Sequence, residues 1–450
     1  MTHDVNGPAA VAGDTGGVAA SPRRHWLVGA LGSAVAALAA RPAPVEAAPS
    51  DVAGEDRIRR GRPLRFPRDH GAHPGAQTEW WYATGHLAPP GTAAQAGPTH
   101  GFQVTFFRSR TGLSSDPGAG PGMGPAAAPS ASASASAGPS QLAAPAGPAR
   151  LAPLQILFAH AALTRLGDAA RHAHDQRIAR WNGVATDTAA HARRDDLGVA
   201  IAGWQLHRDA ASGHYRSRID SPAQGFALDL QLQPTQPLLL QGDAGFSRKG
   251  PEESQASHYT SHPQLAVQGQ VVDAGRRLAV QGRAWLDHEW SDTLLAPEAQ
   301  GWDWIGFNLA DGSALTAFQI RARPGAGGNP GAPLWAGGSW RAPGQAAREL
   351  GPGEVRFEPL RWWTSRASGA RYPVVWRVST PVGRWEVRAL LDAQELDSTA
   401  STGAIYWEGL SALHDDAGRR VGLGYLEMTG HARPLRLSSH VHGGLGPALA

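Results

Sequence analysis

Four short clusters in this 450-residue sequence place a carboxylic acid within two residues of large aromatic rings. They occupy residues 79–82, 287–290, 406–408 and 425–427, each inside an apolar, strand-like stretch. An acid buried among such rings is desolvated, and desolvation raises its pKa until it can stay protonated near neutral pH. A protonated acid can donate a proton to an alkene or a carbonyl, and aromatic walls can stabilise a developing cation. The clusters therefore predict acid–base chemistry on an apolar substrate.

The candidate site residues come from these clusters and from the Gly-Trp-Asp-Trp motif at 301–304. The candidate catalytic residues are Glu79, Asp287, His288, Glu289 and Asp303. The candidate ligand-binding residues are Trp80, Trp81, Tyr82, Trp290, Trp302, Trp304, Tyr406 and Tyr425. A second interpretation stays open, in which the clusters form a buried polar network that joins two β-domains, because buried carboxylates in β-proteins are often paired with arginine.

Side chains alternate along a strand, and this alternation divides the 287–290 cluster between two faces. Asp287 and Glu289 share one face with Trp285, whereas His288 and Trp290 share the other. If the face that carries His288 looks into a cavity, His288 and Trp290 line it. Asp287 and Glu289 then pack outward, against arginines or a second domain.

Other chemistries lack the spacing that they require. His288 is followed by Glu289, but the second histidine of a metalloprotease helix motif is missing, and the segment has a strand pattern. The sequence contains no Gly-x-Ser-x-Gly elbow and no phosphate-binding loop of the Gly-rich Lys-Ser/Thr type. His70 and His73 are close, but spacing places no third metal ligand beside them, and there is no cysteine. The sequence therefore predicts neither a metal nor a cofactor.

The elements that must position these residues are β-strands. Short β-like runs alternate with turn signals, for example in the candidate strand 199–207 and in the hairpin turn Ala310-Asp311-Gly312. Many short strands at even spacing are typical of a sandwich or barrel, and roughly fifteen strands exceed one small barrel. The sequence predicts an all-β protein with two domains.

Residues 1–48 have the pattern of an export signal. Arg23-Arg24-His25-Trp26-Leu27 resembles a twin-arginine signal, and the apolar run that follows to Ala40 is too short to span a bilayer. A cleavage site of the Ala-x-Ala type lies near Ala47 or Ala48. We expect a cleaved signal peptide and a periplasmic or secreted protein, with an uncleaved membrane anchor as the alternative.

Composition limits the classes of partner that the protein can bind. The net charge of +3 comes from arginines spread along the chain, and this excludes the basic patch that nucleic-acid binding requires. Residues 112–153 are almost wholly Ala, Gly, Pro and Ser, a composition that cannot bury enough surface to fold. Strand-like runs flank this tract, so we expect a disordered insertion inside one domain.

A series of short motifs occurs in a fixed order along the chain. They are His-Pro at 73–74, Glu-Trp-Trp-Tyr-Ala-Thr-Gly at 79–85, Gly-Phe-Gln-Val-Thr-Phe-Phe at 101–107, Gln-Gly-Asp-Ala-Gly-Phe-Ser-Arg-Lys-Gly at 241–250, Ala-Trp-Leu-Asp-His-Glu-Trp-Ser at 284–291, Gly-Trp-Asp-Trp at 301–304, Tyr-Trp-Glu-Gly at 406–409 and Gly-Tyr-Leu-Glu-Met-Thr-Gly at 424–430. This ordered set resembles the AttH-like, carotenoid 1,2-hydratase-related family of secreted lipocalin-like proteins, and the similarity covers residues 64–437.

This resemblance implies two tandem lipocalin-like β-barrel domains, at 62–297 and 298–437, with a site for an apolar small molecule such as an isoprenoid or a lipid. Relatives include hydratases that add water to alkenes of acyclic carotenoids, and the AttH branch is associated with an ABC transporter and often described as a secreted hydrolase. The resemblance thus implies a hydratase-like enzyme, a periplasmic lipid-binding partner of a transporter or, third, a hydrolase.

One departure from the hydratase pattern bears on the chemistry. His288 and Trp290 match the His-x-Trp pair that the resemblance places at the hydratase site. A Tyr-x-Asp pair is expected on a strand soon afterwards, but residues 314–319 read Ala-Leu-Thr-Ala-Phe-Gln. Asp303 or Asp287 would have to replace the missing proton donor.

Overall fold

The computed structural model describes residues 56–92, 97–111, 154–181, 189–325 and 333–434. Within these ranges the regular structure consists of β-strands and two short 3-10 helices, Arg68–His70 and Pro222–Gln224. The predicted all-β class is therefore confirmed. The predicted signal peptide and the 112–153 tract lie outside the described residues. In the described part of the chain, no helix has the length and apolar character needed to cross a membrane.

The first sheet contains thirteen strands and runs from Thr78 to Ser291. Its order is β4-β3-β2-β1-β13-β12-β9-β8-β7-β6-β5, with β10 and β11 paired to β12. The end strands β4 and β5 lie against each other, so this sheet is a nearly closed barrel. The strands are β1 (Thr78–Ala88), β2 (His100–Arg110), β3 (Gln155–Arg165), β4 (Arg171–Trp181), β5 (Ala190–Ala192), β6 (Gly198–Ile201), β7 (Trp204–Arg208), β8 (Tyr215–Ser221), β9 (Phe226–Gln233), β10 (Leu239–Leu240), β11 (Phe246–Arg248), β12 (Ala256–Asp273) and β13 (Arg276–Ser291).

The second sheet contains ten strands and runs from Ala299 to Met428. Its order is β17-β16-β15-β14-β23-β22-β20-β19-β18, with β21 paired to β22. The strands are β14 (Ala299–Leu309), β15 (Ala314–Ala322), β16 (Pro333–Arg341), β17 (Arg348–Leu350), β18 (Arg356–Thr364), β19 (Arg371–Thr380), β20 (Gly383–Ala389), β21 (Glu395–Ser398), β22 (Ala404–His414) and β23 (Arg420–Met428). The two sheets are consistent with two lipocalin-like barrel domains. The exact domain bounds stay a prediction.

The turn residues explain where the observed strands agree with the predicted strands and where they differ. The Ala310-Asp311-Gly312 turn joins the antiparallel strands β14 and β15, as predicted. The predicted strand 199–207 is wrong, because a turn at Ala202-Gly203 divides it into β6 and β7. Both turn residues have positive φ angles, 47° and 89°, which lie outside the extended range of regular strand residues. Strands β2 and β3 pair along their whole length, so the 112–153 tract connects two neighbouring strands of one sheet.

Each sheet has its own apolar core, and a third cluster joins the sheets. Trp81 and Trp204 lie in the core of the first sheet, and Trp376 and Trp407 lie in the core of the second. The joining cluster contains residues from the outer faces of both sheets: Tyr82, Leu239, Trp285, Trp304, Phe318, Leu410 and Tyr425 among them. Large rings on both outer faces thus exclude water along part of the contact between the sheets.

The tight pairing of β1 with β13 gives a test of the fold. A Cβ atom at Gly282 would lie 1.8 Å from the backbone oxygen of His86 on β1. We expect Gly282→Ala to lower the free energy of unfolding by about 1–3 kcal/mol, because the backbone must move to accept the methyl group. A Cβ at Gly351 meets only the Glu354 carboxylate, at 3.7 Å, so Gly351→Ala should change stability by less than ~0.5 kcal/mol. Urea unfolding of both variants measures the difference, and equal effects would contradict the described pairing.

Candidate functional site

The pairing of β1 with β13 distributes the predicted site residues over two faces. Residues opposite each other in an antiparallel pair point to the same side of the sheet. The opposite pairs on the first face are Trp80–Glu289 and Tyr82–Asp287, and those on the second face are Glu79–Trp290 and Trp81–His288. Neighbours in the sequence therefore belong to two separate polar environments.

A cavity lies between the two sheets, on the first of these faces. Together with the open solvent space at its mouth, it measures about 1260 Å³. The first sheet contributes residues from β1, β2, β3, β12 and β13, and the second contributes residues from β14, β15, β22 and β23. The predicted site residues in its wall are Trp80, Tyr82, Asp287, Glu289, Trp302, Trp304 and Tyr406, and the wall also contains Lys249, Tyr259, Glu408 and Glu427.

His288 and Trp290 do not line this cavity, so the condition set for their face is not met here. The outward packing expected for Asp287 and Glu289, toward a second domain, agrees with their position opposite the second sheet. Asp287 and Glu289 line the cavity, whereas His288 and Trp290 lie on the opposite face. The physical reason is that the second sheet covers the outer face of the first. A strand face that points out of one barrel can thus still be buried, because it borders the space between the sheets.

Asp287 is the best-connected acid in the cavity wall. Its carboxylate accepts hydrogen bonds from Tyr259 Oη at 2.8 Å, Trp285 Nε1 at 2.6 Å and Ser261 Oγ at 2.5 Å. Trp304 of the second sheet donates its indole N–H to Tyr259 Oη at 3.1 Å, which extends the chain across the contact. Burial raises the pKa of Asp287 to about 7, although these three donors oppose the shift. Asp287 can therefore exchange a proton near neutral pH.

Glu408 and Glu427 form a second acidic group across β22 and β23. The two residues are directly opposite each other in the strand pair, a position where like charges repel. Burial, and then the charge of Glu427, raises the pKa of Glu408 well above its ordinary value. Burial also raises the pKa of Glu427, which borders the open cavity, to about 8, with contributions from Asp287 and Glu289. This pair holds a proton at neutral pH.

Two buried polar atoms beside this pair have no hydrogen-bond partner among the described residues. They are Tyr82 Oη and Glu408 Oε1. The Tyr82 hydroxyl lies near enough to Glu408 to act on its pKa, but not in the geometry of a hydrogen bond. A buried polar group without a partner costs free energy, so these atoms suit a polar group of a bound molecule.

Lys249 brings a positive charge to the same wall. Its Nζ lies 3.1 Å from Glu289 Oε1. The ammonium group also lies over the rings of Tyr259 and Phe318, at 4.5 and 4.3 Å from their centroids. This ion pair and a 2.5 Å hydrogen bond from Ser257 Oγ hold the Glu289 carboxylate against the protein.

Four predicted site residues, namely Glu79, Trp81, His288 and Trp290, lie in a fully buried network behind this wall. Glu79 Oε1 contacts His73 Nδ1 at 2.8 Å and His288 Nε2 at 2.9 Å, and Glu79 Oε2 accepts a 2.8 Å bond from Arg108. Burial opposes ionisation of Glu79, but Arg108 and His73 hold its pKa well below the usual range. Burial lowers the pKa of His288, which favours a neutral ring. This network corresponds to the second interpretation of the clusters, a buried polar scaffold, although it lies within the first sheet.

Asp303 and Tyr425 lie apart from the cavity wall. Asp303 contacts His431 Nε2 at 2.8 Å, Gln319 Nε2 at 2.7 Å and Arg321 Nε at 3.1 Å. Burial raises its pKa, but these partners outweigh burial and lower it overall. Tyr425 packs in the cluster that joins the sheets. Both positions indicate structural contacts.

The sequence pointed to some further wall residues without selecting them. Glu408 and Glu427 belong to two of the four acid–aromatic clusters, and strand alternation places each on the face of a predicted ligand-binding tyrosine. No acid–aromatic cluster contains Tyr259, Lys249 or His160. The fold brings these residues to the cavity from distant parts of the sequence.

Comparisons with known proteins give one family match and solved structures that resemble this chain. Residues 57–122 and 134–431 match the AttH-like family. The crystal structure of an AttH candidate from Nitrosomonas europaea is 39% identical, with coverage of 83% of this chain and 99% of that chain and a TM-score of 0.67. Kievitone hydratase from Nectria haematococca is 12% identical, with coverage of 82% and 93% and a TM-score of 0.55, a likeness in fold. The comparison with curated proteins finds no match.

The raised pKa of Asp287 predicts how stability depends on pH. The folded state binds this proton more tightly than the unfolded state, so the contribution is complete below about pH 4 and is lost as the pH rises to about 7. The free energy of unfolding of the wild type should therefore fall between pH 5 and pH 7. In Asp287→Asn this fall should be smaller, by up to about 3 kcal/mol. Asp229→Asn, at an exposed acid paired with Arg216, is the control and should follow the wild type. Urea unfolding across this pH range measures the free energy of unfolding of each protein. Identical profiles for all three proteins would contradict the raised pKa of Asp287.

Proposed function

The chain belongs to the AttH-like family, and we propose that it is a hydratase-like acid–base enzyme for a large apolar molecule, an isoprenoid or a lipid. One observation carries this proposal. Asp287, Glu408 and Glu427 face a single aromatic-walled cavity, and the pKa of each is raised toward or beyond neutrality. Carboxyls that differ in pKa within one site are suited to separate acid and base roles.

The proposed reaction adds water across a carbon–carbon double bond. The Glu408–Glu427 pair donates its proton to one alkene carbon, and the π electrons form the new C–H bond. The cation left on the other carbon lies against the rings of Trp80, Trp302 and Trp304, where the aromatic faces stabilise it. Water attacks this cation through oxygen and loses its extra proton to Asp287, and exchange with solvent then returns a proton to the glutamate pair.

The orphaned polar atoms suggest how a substrate is oriented. Tyr82 Oη and Glu408 Oε1 lie in an otherwise apolar wall. A hydroxyl or carbonyl group on the substrate would satisfy them and hold the alkene at a fixed distance from the acid. The preferred substrate is therefore apolar along most of its length, with one oxygen-bearing group.

We place this activity outside the cytoplasm. The support is the Arg23-Arg24 leader, the apolar run after it and the Ala-x-Ala site. Export of the folded chain would give the cavity access to apolar molecules at the cell envelope.

A carrier function is the second candidate, and β15 provides the observation in its favour. The residues that β15 contributes to the cavity are the apolar Phe318 and Ile320, and Phe318 lies in the 314–319 segment where the hydratase resemblance expects the Tyr-x-Asp pair. In this alternative the protein binds a lipid and passes it unchanged to an ABC transporter. A secreted hydrolase is the third candidate.

The test is incubation of the purified protein with a bacterial isoprenoid and lipid extract in oxygen-18 water, followed by mass spectrometry. The enzyme should yield a product heavier by one molecule of labelled water. Glu408→Gln and Glu427→Gln should each lower product formation by roughly 10²–10⁴-fold, the usual contribution of a general acid. Glu358→Gln, at a surface glutamate paired with Arg377, should keep the wild-type rate.

The other outcomes separate the alternatives. Extract molecules that co-purify and are released unaltered would support the carrier, and cleaved molecules with label in a new carboxyl or hydroxyl would support the hydrolase. Either result would reject the hydratase. A hydrated product formed equally well by all variants would keep the reaction but reject these residues as its acid.

The pH dependence of product formation tests the assigned roles. Below about pH 7 Asp287 becomes protonated and cannot accept the proton from water, and above about pH 8 Glu427 loses the proton that the pair must donate. We therefore expect a bell-shaped profile of kcat/KM with its maximum between these values. Asp287→Asn should remove the acidic limb along with most of the rate, and an unchanged acidic limb would contradict the role of Asp287.

A further inference from the structure

His73, Glu79 and His288 bring three potential metal-ligand atoms together behind the cavity wall. His73 Nδ1, Glu79 Oε1 and His288 Nε2 all lie within 4.8 Å of one another, and the three residues are fully buried. His73 precedes β1, Glu79 lies on β1 and His288 on β13. Spacing along the sequence could not reveal this set, because only strand pairing brings His288 to the other two residues.

The outer nitrogen of each ring faces an oxygen of Asp69. His73 Nε2 lies 3.0 Å from Asp69 Oδ1, and His288 Nδ1 lies 3.1 Å from the Asp69 backbone oxygen. Histidines that bind a metal commonly donate their second N–H to a carboxylate or a backbone carbonyl, which fixes the tautomer and the ring plane. Both outer contacts match this arrangement.

The inner ring nitrogens converge on one carboxylate oxygen. His73 Nδ1 and His288 Nε2 lie 2.8 and 2.9 Å from Glu79 Oε1, and the backbone N–H of His73 donates to the same oxygen at 3.1 Å. Imidazole nitrogens and carboxylate oxygens are both ligand types that zinc takes in proteins. The three side chains therefore offer two nitrogen ligands and one oxygen ligand at one place.

We propose that His73, Glu79 and His288 bind one divalent transition-metal ion, with zinc the ion that two imidazoles and a carboxylate suit best. Arg108 holds the second oxygen of Glu79, and Trp290 and Trp81 stack on the rings of His73 and His288 at centroid distances of 3.7 and 5.0 Å. These neighbours fix the ligands in place. Zinc needs ligand atoms about 2.0–2.2 Å away, so Glu79 Oε1 would shift by roughly half an ångström on binding.

The ion would have a structural role. None of the three ligands lines the cavity, and all are shielded from solvent. The ion would fasten the segment before β1 to the β1–β13 pair, from which Asp287 and Glu289 reach the cavity on the opposite face. The inference does not depend on the proposed function, because it concerns the face behind the wall.

The experiment uses the full chain, stripped with a chelator and then dialysed against zinc chloride. We expect one zinc ion per chain by mass spectrometry of the metal, a rise in Tm on zinc addition, and an anomalous difference peak between His73, Glu79 and His288 in crystals at the zinc edge. Glu79→Gln and His288→Asn should weaken zinc binding by at least about 100-fold. His172→Asn, at a histidine on β4 that contacts Thr164, is the matched control and should bind zinc as the wild type does.

If either variant fails to fold, the zinc measurements on the wild-type protein test the proposal. Absence of bound zinc, or an anomalous peak elsewhere, would overturn the proposal and leave a hydrogen-bonded network of His73, Glu79, His288 and Arg108 as the explanation of the cluster. A cobalt-substituted wild-type protein whose visible absorption indicates nitrogen and oxygen ligands would support it. Unaltered zinc affinity in folded Glu79→Gln would also overturn the assignment.

Discussion

The alternation of side chains along β1 and β13 is the constraint on which the site depends. It sends Glu79 and His288 to one side of the sheet and Tyr82 and Asp287 to the other, although these residues are close in the sequence. On the side of Glu79 and His288, the carboxylate, the imidazoles and Arg108 contact one another and are sealed from solvent. On the side of Tyr82 and Asp287, several acids face a cavity, and Tyr82 Oη and Glu408 Oε1 have no hydrogen-bond partner among the described residues. One strand pair thus carries a buried polar network on one face and an acid-lined cavity wall on the other.

The second sheet turns this reactive surface into a site. An outward face of a single barrel would be solvated, and its acids would keep ordinary pKa values. Here Trp304 reaches across to Tyr259, and Glu408 and Glu427 approach from the opposite wall. The exclusion of water by both sheets raises the pKa values on which the proposed chemistry depends. The site therefore belongs to the contact between the sheets rather than to either barrel.

Much of the fold could be predicted from the sequence, because strand periodicity, turn residues and family motifs are local signals. The acid–aromatic clusters and the 301–304 motif also contained several residues of the cavity wall, among them Asp287, Trp302 and Tyr406. The sequence could not show which face of each strand borders the cavity. Alternation divides the side chains between two faces, but it does not show which face the second sheet covers. The partners of Asp303 were also hidden, since His431 is far away in the sequence and contacts it only in the folded chain.

The pairing of β1 with β13 also has a consequence for the order of folding. Glu79 and His288 are 209 residues apart in the sequence, so their contact closes one of the longest loops in the chain. Contacts of such high sequence separation form late and slowly, since the entropy of loop closure is lost before they contribute. The second sheet is closed in a similar way, by β14 and β23. Both walls of the cavity are therefore completed near the end of folding, and a chain interrupted before that stage would expose its tryptophans to aggregation rather than to substrate.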